Sequence, residues 1–488
     1  MKSCKLIVED EVNIKLENLP VDIRRKLANA LKFELPYAKH MPQYKLGRWD
    51  GTVAFFGIGG TGYVNHLDVI QKILEDNDYV INEVDDHRLH VQLEFDTVDE
   101  HFWKHVVWPK GHPAEGQPIV LKEHQVTAIN TFLKNPQSLQ EIATSAGKTI
   151  ICAALSKVCE KYGRTLIIVP NKSLVTQTED DYKNCKLDVG VYFGDRKELN
   201  RTHTICTWQS LNSLEKKFKD GRSETGLEEF LEGVTAVIAD ECHSVKADVL
   251  KTILTKNLRN APIRWGLTGT IPKEDYEFAS ILASIGPVVG AVSAHELQEK
   301  GVIAQCHVNI LQLLDMREFR DYQSELKYLL SDKDRLSYIA KLINKIKLSG
   351  NTLVLIDRIS AGDALLEHIP DAIFVKGDVK LKDRKQTYEE INEATNMVVI
   401  ATYGVAAVGI NIPRIFNLVM IEPGKSFVRV IQSIGRGIRK AKDKDFVDVW
   451  DITSTCKYAK RHLSKRKQYY KDAKYEFTIE KLDYRQAI

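Results

Sequence analysis

Residues 139–155, LQEIATSAGKTIICAAL, decide the fold of this 488-residue chain. The pattern predicts a strand that ends near Ile142, a loop of small residues, and a helix that begins around Gly147. The unpaired backbone N–H groups and the dipole of a helix N-terminus can hold a phosphate. The stretch therefore predicts a phosphate-binding loop, in which Lys148 meets the β- and γ-phosphates and the Thr149 hydroxyl ligates Mg²⁺.

The loop lacks the glycine that usually opens such a motif. Ile142 stands five residues before Gly147, and Ser145 and Ala146 replace a more glycine-rich sequence. Glycine is needed only where φ is positive or where the phosphate comes closest, and Gly147 keeps that position. We expect Ser145, Ala146 and Thr144 to line the nucleotide site through their backbone, although this motif alone fits an ordinary helix start equally well.

Short apolar strands alternate with helices on the C-terminal side of this loop. Nearly all-apolar runs indicate strands that are covered on both faces, as in a parallel sheet built of βαβ units. Examples are TLIIVP (165–170), AVIAD (236–240), TLVLID (352–357) and MVVIATY (397–403). The pattern stops and resumes near residue 351, which predicts two doubly wound domains in tandem.

The N-terminal 115 residues follow a different pattern. CKLIVEDEVNIKL (4–16) is typical of strands, VDIRRKLANALKF (21–33) of an amphipathic helix, and GTVAFFGIGGTGYV (51–64) of a strand pair around a glycine turn. The Gly- and Pro-rich segment WPKGHPAEGQP (108–118) separates this part from the rest. We predict an α/β protein with two tandem parallel-sheet domains, preceded by a small α+β domain. The expected boundaries are 1–115, 116–300, 301–455 and a basic helical tail at 456–488.

Composition excludes several classes of protein. Hydrophobic residues make up 43% and charged residues 28% of the chain, and the net charge is +3, so a nucleic-acid surface would have to be a local patch. No stretch approaches 18 uninterrupted apolar residues, and the N-terminus lacks the apolar core of a signal peptide. The eight cysteines form no C-x-x-C pair, which disfavours a zinc ribbon and favours reduced thiols.

The stretch AVIADECHS (236–244) ends an apolar strand with two acids. In this arrangement Asp240 holds Mg²⁺ through water, and Glu241 orients and deprotonates the attacking water. The alternative is a pair of charged residues where a strand meets a loop. His243 lacks partners at metal-ligand spacing, so we expect it to couple the nucleotide site to neighbouring loops.

QSIGRGIRK (432–440) places Arg436 and Arg439 one helical turn apart. On a helix, that spacing puts both guanidinium groups on one face. Following a second α/β domain and a phosphate loop, they are expected to act as arginine fingers on the charge that develops during phosphoryl transfer. The alternative is a solvated basic helix face.

Together these motifs resemble those of superfamily 2 helicases, from about residue 119 to residue 455. Further matching stretches occur in the order of that family: LKEHQ (121–125), IIVPNKSLVTQ (167–177), ICTWQSL (205–211), LTGT (267–270), LVLIDR (353–358) and IATYGVAAVGINIP (400–413). Each stretch is weak alone, whereas the ordered set is specific. The resemblance implies two RecA-like domains.

The resemblance also implies site residues. Gln125 would read the adenine and Gly409 would join Lys148, Thr149, Asp240, Glu241, Arg436 and Arg439 in an ATP site that requires Mg²⁺. One nucleic-acid strand would be contacted by Pro170, Asn171, Thr207, Gln209, Arg358 and Thr402. Such contacts reach phosphates and do not depend on base sequence.

DECH in place of DEAD or DEAH favours DNA-acting members of the family. The resemblance implies a DNA-dependent ATPase that unwinds or branch-migrates forks, junctions and R-loops in recombination, repair and replication restart. Branched duplex and single-stranded DNA, and RNA–DNA hybrids, would be its substrates. A cytoplasmic monomer is expected, in the host cytoplasm if the chain is phage-encoded, with single-stranded-DNA-binding or recombination proteins as partners.

Three other functions stay open on the same motifs. The chain could be an RNA helicase, or the motor subunit of a restriction complex that translocates without unwinding. It could also be a nucleotide-gated binding protein, although Glu241 and both arginines argue for turnover.

Two further features have two interpretations each. Arg48 and Trp49, within YKLGRWDGTVAFF (44–56), could grip duplex DNA, or Trp49 could belong to the core beside a solvated turn. The basic segment 457–474 could bind phosphates with strong salt dependence, or it could be a solvated helix that packs through apolar residues.

Overall fold

The computed structural model describes residues 2–35, 37–110, 114–199, 201–223, 225–244, 247–377, 381–410 and 412–486. They form two compact units: the first comprises residues 1–142 and 147–291, and the second comprises 143–146 and 292–488. Each unit contains a large, mainly parallel sheet with helices between its strands.

The N-terminal part of the first unit contains a four-stranded sheet in the order β5-β2-β1-β6. Its elements are β1 (Lys2–Val8), β2 (Asn13–Glu17), α1 (Val21–Ala30), β3 (Lys32–Glu34), α2 (Pro42–Lys45), β4 (Thr52–Ala54), β5 (Thr61–Tyr63), α3 (Leu67–Glu75) and β6 (Tyr79–Asp86). β1 is antiparallel to β2 and parallel to β6. The strand pair expected within residues 51–64 is wrong as a hairpin, because β4 pairs with β3 and β5 pairs with β2.

The rest of the first unit is built on an eight-stranded sheet in the order β10-β9-β11-β8-β12-β13-β7-β14. The elements are α4 (Glu123–Lys134), β7 (Gln137–Ile142), α5 (Lys148–Cys159), β8 (Arg164–Val169), α6 (Lys172–Asn184), β9 (Val189–Phe193), β10 (Arg196–Lys197), β11 (His203–Thr207), α7 (Trp208–Lys219), α8 (Leu227–Phe230), β12 (Val234–Asp240), α9 (Ala247–Thr252), β13 (Ile263–Thr268), α10 (Asp275–Ser284) and β14 (Val288–Val292). β8, β9, β11, β12, β13 and β7 form a parallel array.

The second unit is built on a seven-stranded sheet in the order β17-β18-β16-β19-β20-β15-β21. Its elements are α11 (Ala294–Glu299), β15 (Gln305–Leu313), α12 (Tyr322–Leu329), α13 (Lys333–Ile346), β16 (Thr352–Ile356), α14 (Ile359–His368), β17 (Ile373–Val375), α15 (Leu381–Glu393), β18 (Val398–Thr402), α16 (Tyr403–Gly409), β19 (Asn417–Ile421), α17 (Phe427–Gly437), β20 (Phe446–Ser454), α18 (Lys457–Asp472) and β21 (Glu476–Leu482). All of its neighbouring strands run parallel.

The predicted fold class is confirmed. The strands β8, β12, β16, β18 and β19 are buried along almost their entire length, as their apolar composition requires in a sheet covered on both faces. In a parallel sheet the carboxyl ends of all strands meet at one edge, which is where ligands bind in such folds. The motifs of both units follow strand ends at that edge.

The N-terminal sheet shares its core with the neighbouring parallel-sheet part. Tyr276 and Ala279 of α10 belong to the same buried cluster as Leu27 and Phe56. The Asn13 side chain also donates a 2.9 Å hydrogen bond to a backbone carbonyl just after α9. The small sheet is therefore fixed to the face of the first unit that carries α10.

The expected helical tail is only partly helical. α18 accounts for the basic run, but the chain then forms β21, which pairs in parallel with β15 along seven residues. Helical periodicity cannot reveal such an edge strand, because its partner lies about 170 residues earlier and the strand is mostly exposed. The C-terminal segment is thus integrated into the second sheet.

Two further properties of the described residues concern membrane-spanning helices and cysteines. No helix among these residues is both long and apolar enough to cross a membrane. The eight cysteines form no disulfide, and seven of them are buried.

Candidate functional site

The phosphate loop joins β7 to α5 at the carboxyl edge of the first unit's parallel sheet. Ile142 ends β7 and is fully buried, so the residue that departs from the usual motif packs in the core. α5 begins at Lys148, and Gly147 precedes it with φ 84°. Ser145 also has a positive φ, of 74°. The loop therefore makes a tight turn that presents its backbone at the start of a helix.

Two observations favour glycine at position 147. Its φ lies in the left-handed region that other residues avoid. In addition, a Cβ at this position would collide with the side-chain amide nitrogen of Gln125. Gln125 is buried near the start of α4, where its Oε1 accepts a 2.9 Å hydrogen bond from the Lys122 N–H. The residue expected to read the adenine therefore lies directly against the phosphate loop.

Lys148 lies in a cluster with the two acids that follow β12. Its Nζ is 2.5 Å from Glu241 Oε1 and 3.4 Å from the Ile142 carbonyl oxygen. The side chains of Lys148 and Glu241 are only 9% and 14% exposed. Asp240 is also buried, and its Oδ1 accepts the Glu241 N–H at 2.9 Å. The first unit alone thus brings together three of the five residues expected to be catalytic.

The protonation of the two acids differs. Burial raises the pKa of Asp240, although the positive charge of Lys148 opposes the rise. Burial also acts on Glu241, but the charges of Lys148 and His243 and two hydrogen bonds outweigh it and lower the pKa of that carboxyl. The site therefore holds Glu241 ionised and ready to accept a hydrogen bond from water.

His243 and the LTGT segment complete the surroundings of Glu241. Glu241 Oε2 accepts the Gly269 N–H at 3.3 Å and lies 3.5 Å from His243 Nδ1. The same imidazole nitrogen is 2.5 Å from Thr268 Oγ1, which donates to the Thr270 carbonyl oxygen at 2.7 Å. The DECH and LTGT segments are thus directly hydrogen-bonded to each other. Glu241 is held with φ 49°, an unfavourable value that these contacts stabilise.

The residues present fit a nucleotide with Mg²⁺. Thr149, in the first turn of α5, and Asp240 offer the hydroxyl and carboxylate oxygens that Mg²⁺ prefers. Lys148 offsets only one of the two acids, so the cluster keeps net negative charge next to a helix N-terminus that favours anions. A bound Mg²⁺ would balance the negative charge of the cluster, and the phosphates of the nucleotide would occupy the helix N-terminus.

The second unit places the two expected arginines differently from the prediction. Arg436 lies in α17, but α17 ends at Gly437, so Arg439 is two residues beyond the helix. The expectation that both lie on one helix face is wrong. The Ile438 N–H donates to the Ile434 carbonyl and ends the helix. Both arginine side chains are half-buried.

Lys444 has a structural role that the sequence motifs did not indicate. It is 3% exposed, and its Nζ donates to the carbonyl oxygens of Gly437, Arg439 and Pro413 at 2.5, 2.7 and 3.0 Å. Burial, followed by repulsion from Arg439, lowers the pKa of Lys444 to about 7. This lysine satisfies carbonyls at the C-terminus of α17 and fixes the backbone of Arg439. Its position within a charged loop gave no signal of that role.

Four of the six residues expected to contact a nucleic-acid strand lie together in the first unit. Gln209 Nε2 is 3.4 Å from the Pro170 carbonyl oxygen, and Gln209 is exposed. The side chains of Asn171 and Thr207 instead cap α6 and α7, each accepting the N–H three residues ahead. Both caps lie at the carboxyl edge of the sheet, so these helix N-termini are the anion-attracting groups there.

The other members of the set belong to the second unit. Thr402 ends β18 and caps α16, accepting the Val405 N–H at 3.3 Å, and Gly409 is the last residue of α16. Arg358 follows β16, is half-buried and donates a 3.1 Å hydrogen bond to Gln323 Oε1. Thr402 and Arg358 therefore share the carboxyl edge of the second sheet.

The structure separates the two N-terminal candidates. Arg48 is exposed, whereas Trp49 is half-buried, packs against the small-sheet core and donates from Nε1 to the Thr52 carbonyl at 2.8 Å. Trp49 has the environment of a core residue beside a solvated turn.

Comparison with known families agrees with this geometry. Residues 118–273 match the family model described as the type III restriction enzyme res subunit, and residues 334–441 match the helicase conserved C-terminal domain. The chain is a superfamily 2 helicase. As an enzyme it is an ATP-dependent helicase, since membership of this superfamily implies the use of ATP, normally with Mg²⁺.

Two curated relatives show how far the similarity extends. The helicase is 24% identical over 472 residues to the ATP-dependent DNA helicase uvsW of Enterobacteria phage T4, with coverage of 91% of this chain and 89% of the phage protein. It is 28% identical over 346 residues to the putative DNA 3'-5' helicase Rad25 of Haloarcula marismortui, with coverage of 67% and 52%. The match thus spans almost all of the phage protein but about half of the archaeal one.

A solved structure shows the fold that the helicase shares. S. cerevisiae Dbp5 bound to RNA and ADP BeF3 matches with a TM-score of 0.52 at 15% identity, covering 74% of this chain and 90% of that chain. At this identity the similarity concerns the fold alone.

Proposed function

We propose that this helicase is a DNA-dependent ATPase that unwinds or branch-migrates forks, junctions and R-loops. The observation that carries the proposal is the cluster of Lys148, Asp240 and Glu241 at the head of α5, with Glu241 kept ionised. DNA is named in both curated relatives, and the phage relative matches over 89% of its length. The DECH sequence supports the same choice.

In this proposal each residue of the first unit has a defined task. Lys148 and the first backbone N–H groups of α5 bind the β- and γ-phosphates of ATP. Glu241 orients a water molecule and accepts its proton, since its carboxylate is ionised and hydrogen-bonded by the Gly269 N–H. Gln125 lies against Gly147 and would read the adenine.

Thr149 and Asp240 would hold the magnesium ion, which neutralises phosphate charge when it is bound. Thr144, Ser145 and Ala146 would contribute backbone to the same site. Arg436 and Arg439 would stabilise the charge that develops on the transferred phosphate, together with the backbone of Gly409. Lys444 is a positioning residue in this scheme, since it holds the backbone of Arg439.

The proposed path of one DNA strand follows the carboxyl edges of both sheets. There the capped helix N-termini at Asn171, Thr207 and Thr402 attract phosphates, and Gln209 and Arg358 supply side-chain donors. The Pro170 carbonyl fixes Gln209 for this contact. Because these groups meet the backbone, binding should be independent of base sequence.

We further propose the division into an accessory DNA-binding domain (1–115), two RecA-like helicase domains (116–300 and 301–455) and a C-terminal segment (456–488). In the accessory domain the exposed Arg48 is the better candidate for a DNA contact, since Trp49 packs in the core. A role in recombination, repair and replication restart, as a monomer in the cytoplasm or host cytoplasm with single-stranded-DNA-binding or recombination proteins as partners, completes the proposal.

A second candidate function is that of a restriction-complex motor, which the description of the matched N-terminal family model favours. Such a motor would translocate on duplex DNA without separating its strands and would require a nuclease partner. The two proposals differ in whether the purified chain alone releases a strand from a fork.

The deciding experiment compares ATPase stimulation and strand release on forks, four-way junctions, RNA–DNA hybrids, linear duplex and structured RNA. We expect the strongest stimulation and strand release on branched DNA. Stimulation without strand release would support the motor function, and strongest stimulation by structured RNA would contradict the DNA assignment.

A further inference from the structure

α18 is anchored to the second sheet by buried charges as well as apolar contacts. Arg466 is fully buried and forms two hydrogen bonds with the Asp451 carboxylate, at 2.8 and 2.9 Å. Tyr470 donates to the same carboxylate at 2.7 Å, and Leu463 of the same helix is also buried. At its N-terminus the buried carboxylate of Glu325 accepts two backbone N–H groups of α18. The helix is therefore held rigidly in one orientation.

The opposite side of α18 is a basic face, formed by five exposed residues: Lys457, Lys460, Arg461, Lys465 and Lys471. At 3.6 residues per turn these positions fall within an arc of about 140°, centred opposite the buried residues. The one acid in α18, Asp472, is exposed on the same face at the C-terminal end of the helix, where it accepts a hydrogen bond from Gln468 at 2.7 Å. The face extends over about 20 Å at 1.5 Å per residue.

The helix that carries the basic face is linked through α12 to Arg358, one of the residues proposed to bind a DNA strand. Arg358 donates to Gln323 of α12, and the neighbouring Tyr322 ring lies 4.7 Å from the His462 ring of α18. α18 itself begins three residues after β20, at the carboxyl edge of the sheet. Two contacts thus connect Arg358 to the helix that carries the basic face.

The chemistry of this face suits phosphates better than bases. Aromatic side chains near it are held by protein contacts: Tyr458 donates to the Arg320 carbonyl at 2.9 Å, Tyr469 donates to the Lys425 carbonyl at 2.9 Å, and the Tyr322 ring packs on His462. Binding of single strands relies on stacking of bases on aromatic rings, whereas duplex binding relies on cations that meet phosphates.

We propose that the basic face of α18 binds the phosphate backbone of the duplex that adjoins the strand held at Arg358. This inference rests on the proposed function, because the substrate is the same branched DNA. It assigns to α18 the duplex arm that the helicase motifs do not contact. The rigid anchoring through Arg466 fixes the position of the face, so that it grips the duplex at a constant place beside the strand path.

The test compares two double variants of the full-length helicase. Lys460→Ala/Lys465→Ala removes two cations from the basic face. Lys341→Ala/Lys345→Ala removes two exposed lysines from α13, whose C-terminus lies at the opposite edge of the sheet, where it contacts Asn417 at the start of β19. Binding of a fluorescent 20-base-pair duplex and of a 12-nucleotide single strand is measured between 50 and 300 mM salt, and thermal unfolding checks the fold.

We expect the α18 variant to bind duplex roughly 10- to 100-fold more weakly at 0.1 M salt, with a log K against log salt slope smaller by about 2. The affinity of the α18 variant for the single strand should match that of wild type. The α13 variant should bind both DNA molecules with wild-type affinity. Unchanged duplex binding in the α18 variant, or an equal loss for single strands, would overturn the inference. Wild type that binds no DNA at all would instead contradict the proposed function.

Discussion

Each of the two units buries a charged cluster against its parallel sheet, and the two clusters differ in their access to solvent. In the first unit, Lys148 and Glu241 remain 9% and 14% exposed. They lie beside the phosphate loop, at the N-terminus of α5. In the second unit, Arg466 and Asp451 are completely buried, and their hydrogen bonds are internal.

This difference separates charges that serve chemistry from charges that serve the fold. A buried ion pair is costly to break because the remaining partner keeps its desolvation penalty without compensation. The second cluster is sealed and satisfied, so it can only position α18. The first cluster keeps contact with solvent and an excess of negative charge, so a nucleotide with Mg²⁺ can complete it.

The largest expected effect concerns the accessible cluster. Lys148→Ala should reduce DNA-stimulated ATP turnover more than about 1,000-fold, because it removes the cation that meets the phosphates and holds Glu241 ionised. Circular dichroism should show an intact fold. Lys157→Ala, an exposed lysine of the same helix, is the matched control and should turn over ATP like wild type.

The sealed cluster should show the converse behaviour. Arg466→Ala should lower the free energy of unfolding of the second unit by about 3–5 kcal/mol, because Asp451 is left buried without its partner. Urea unfolding measures this loss. The neighbouring Lys467→Ala should change stability by less than about 0.5 kcal/mol. Equal stability of the two variants would contradict the structural role of Arg466.

His66 is a third buried titratable group, and unlike the two clusters it has no counter-charge beside it in the part of the chain that the structure describes. His66 is 2% exposed, and its Nδ1 has no hydrogen-bond partner among the described residues. Burial, and then the charge of Lys251, lower the pKa of His66 to about 4 from an unfolded value near 6.5. Between these values the unfolded chain binds more protons, so stability falls as pH falls from 6.5 to 4.

His66→Phe should remove this dependence, since the ring already packs against Phe55 and Tyr63. We expect the unfolding free energies of wild type and variant to diverge by up to about 3 kcal/mol more at pH 4 than at pH 7. Urea titrations at both pH values measure the difference. Parallel pH profiles would contradict the lowered pKa of His66 in the folded state.

Much of the fold and of the nucleotide site could be predicted from local sequence. Apolar strand runs predicted the parallel sheets, and the GKT and DECH stretches identified Lys148, Asp240 and Glu241, since each follows a strand end. Ile142 departs from the glycine that usually opens such a loop. The structure buries Ile142 in the core, where glycine has no special role.

The remaining features depend on contacts between distant residues. Arg466 looked like part of the basic run, and its partner Asp451 lies on another element. Helical spacing could have revealed it, because Arg466 shares the stripe of Leu463 and Tyr470. Arg439 and Lys444 could not be placed, since the end of α17 is fixed by contacts that extend to Pro413.

The most direct test of the central claim is the turnover of Glu241→Gln. The variant keeps the shape of the side chain but removes the charge that accepts a proton from water. ATP affinity and DNA-stimulated hydrolysis are measured on the same preparation. We predict nearly unchanged ATP binding and a loss of turnover of roughly 100- to 10,000-fold. Turnover close to that of wild type would contradict the assignment of this cluster as the site of ATP hydrolysis.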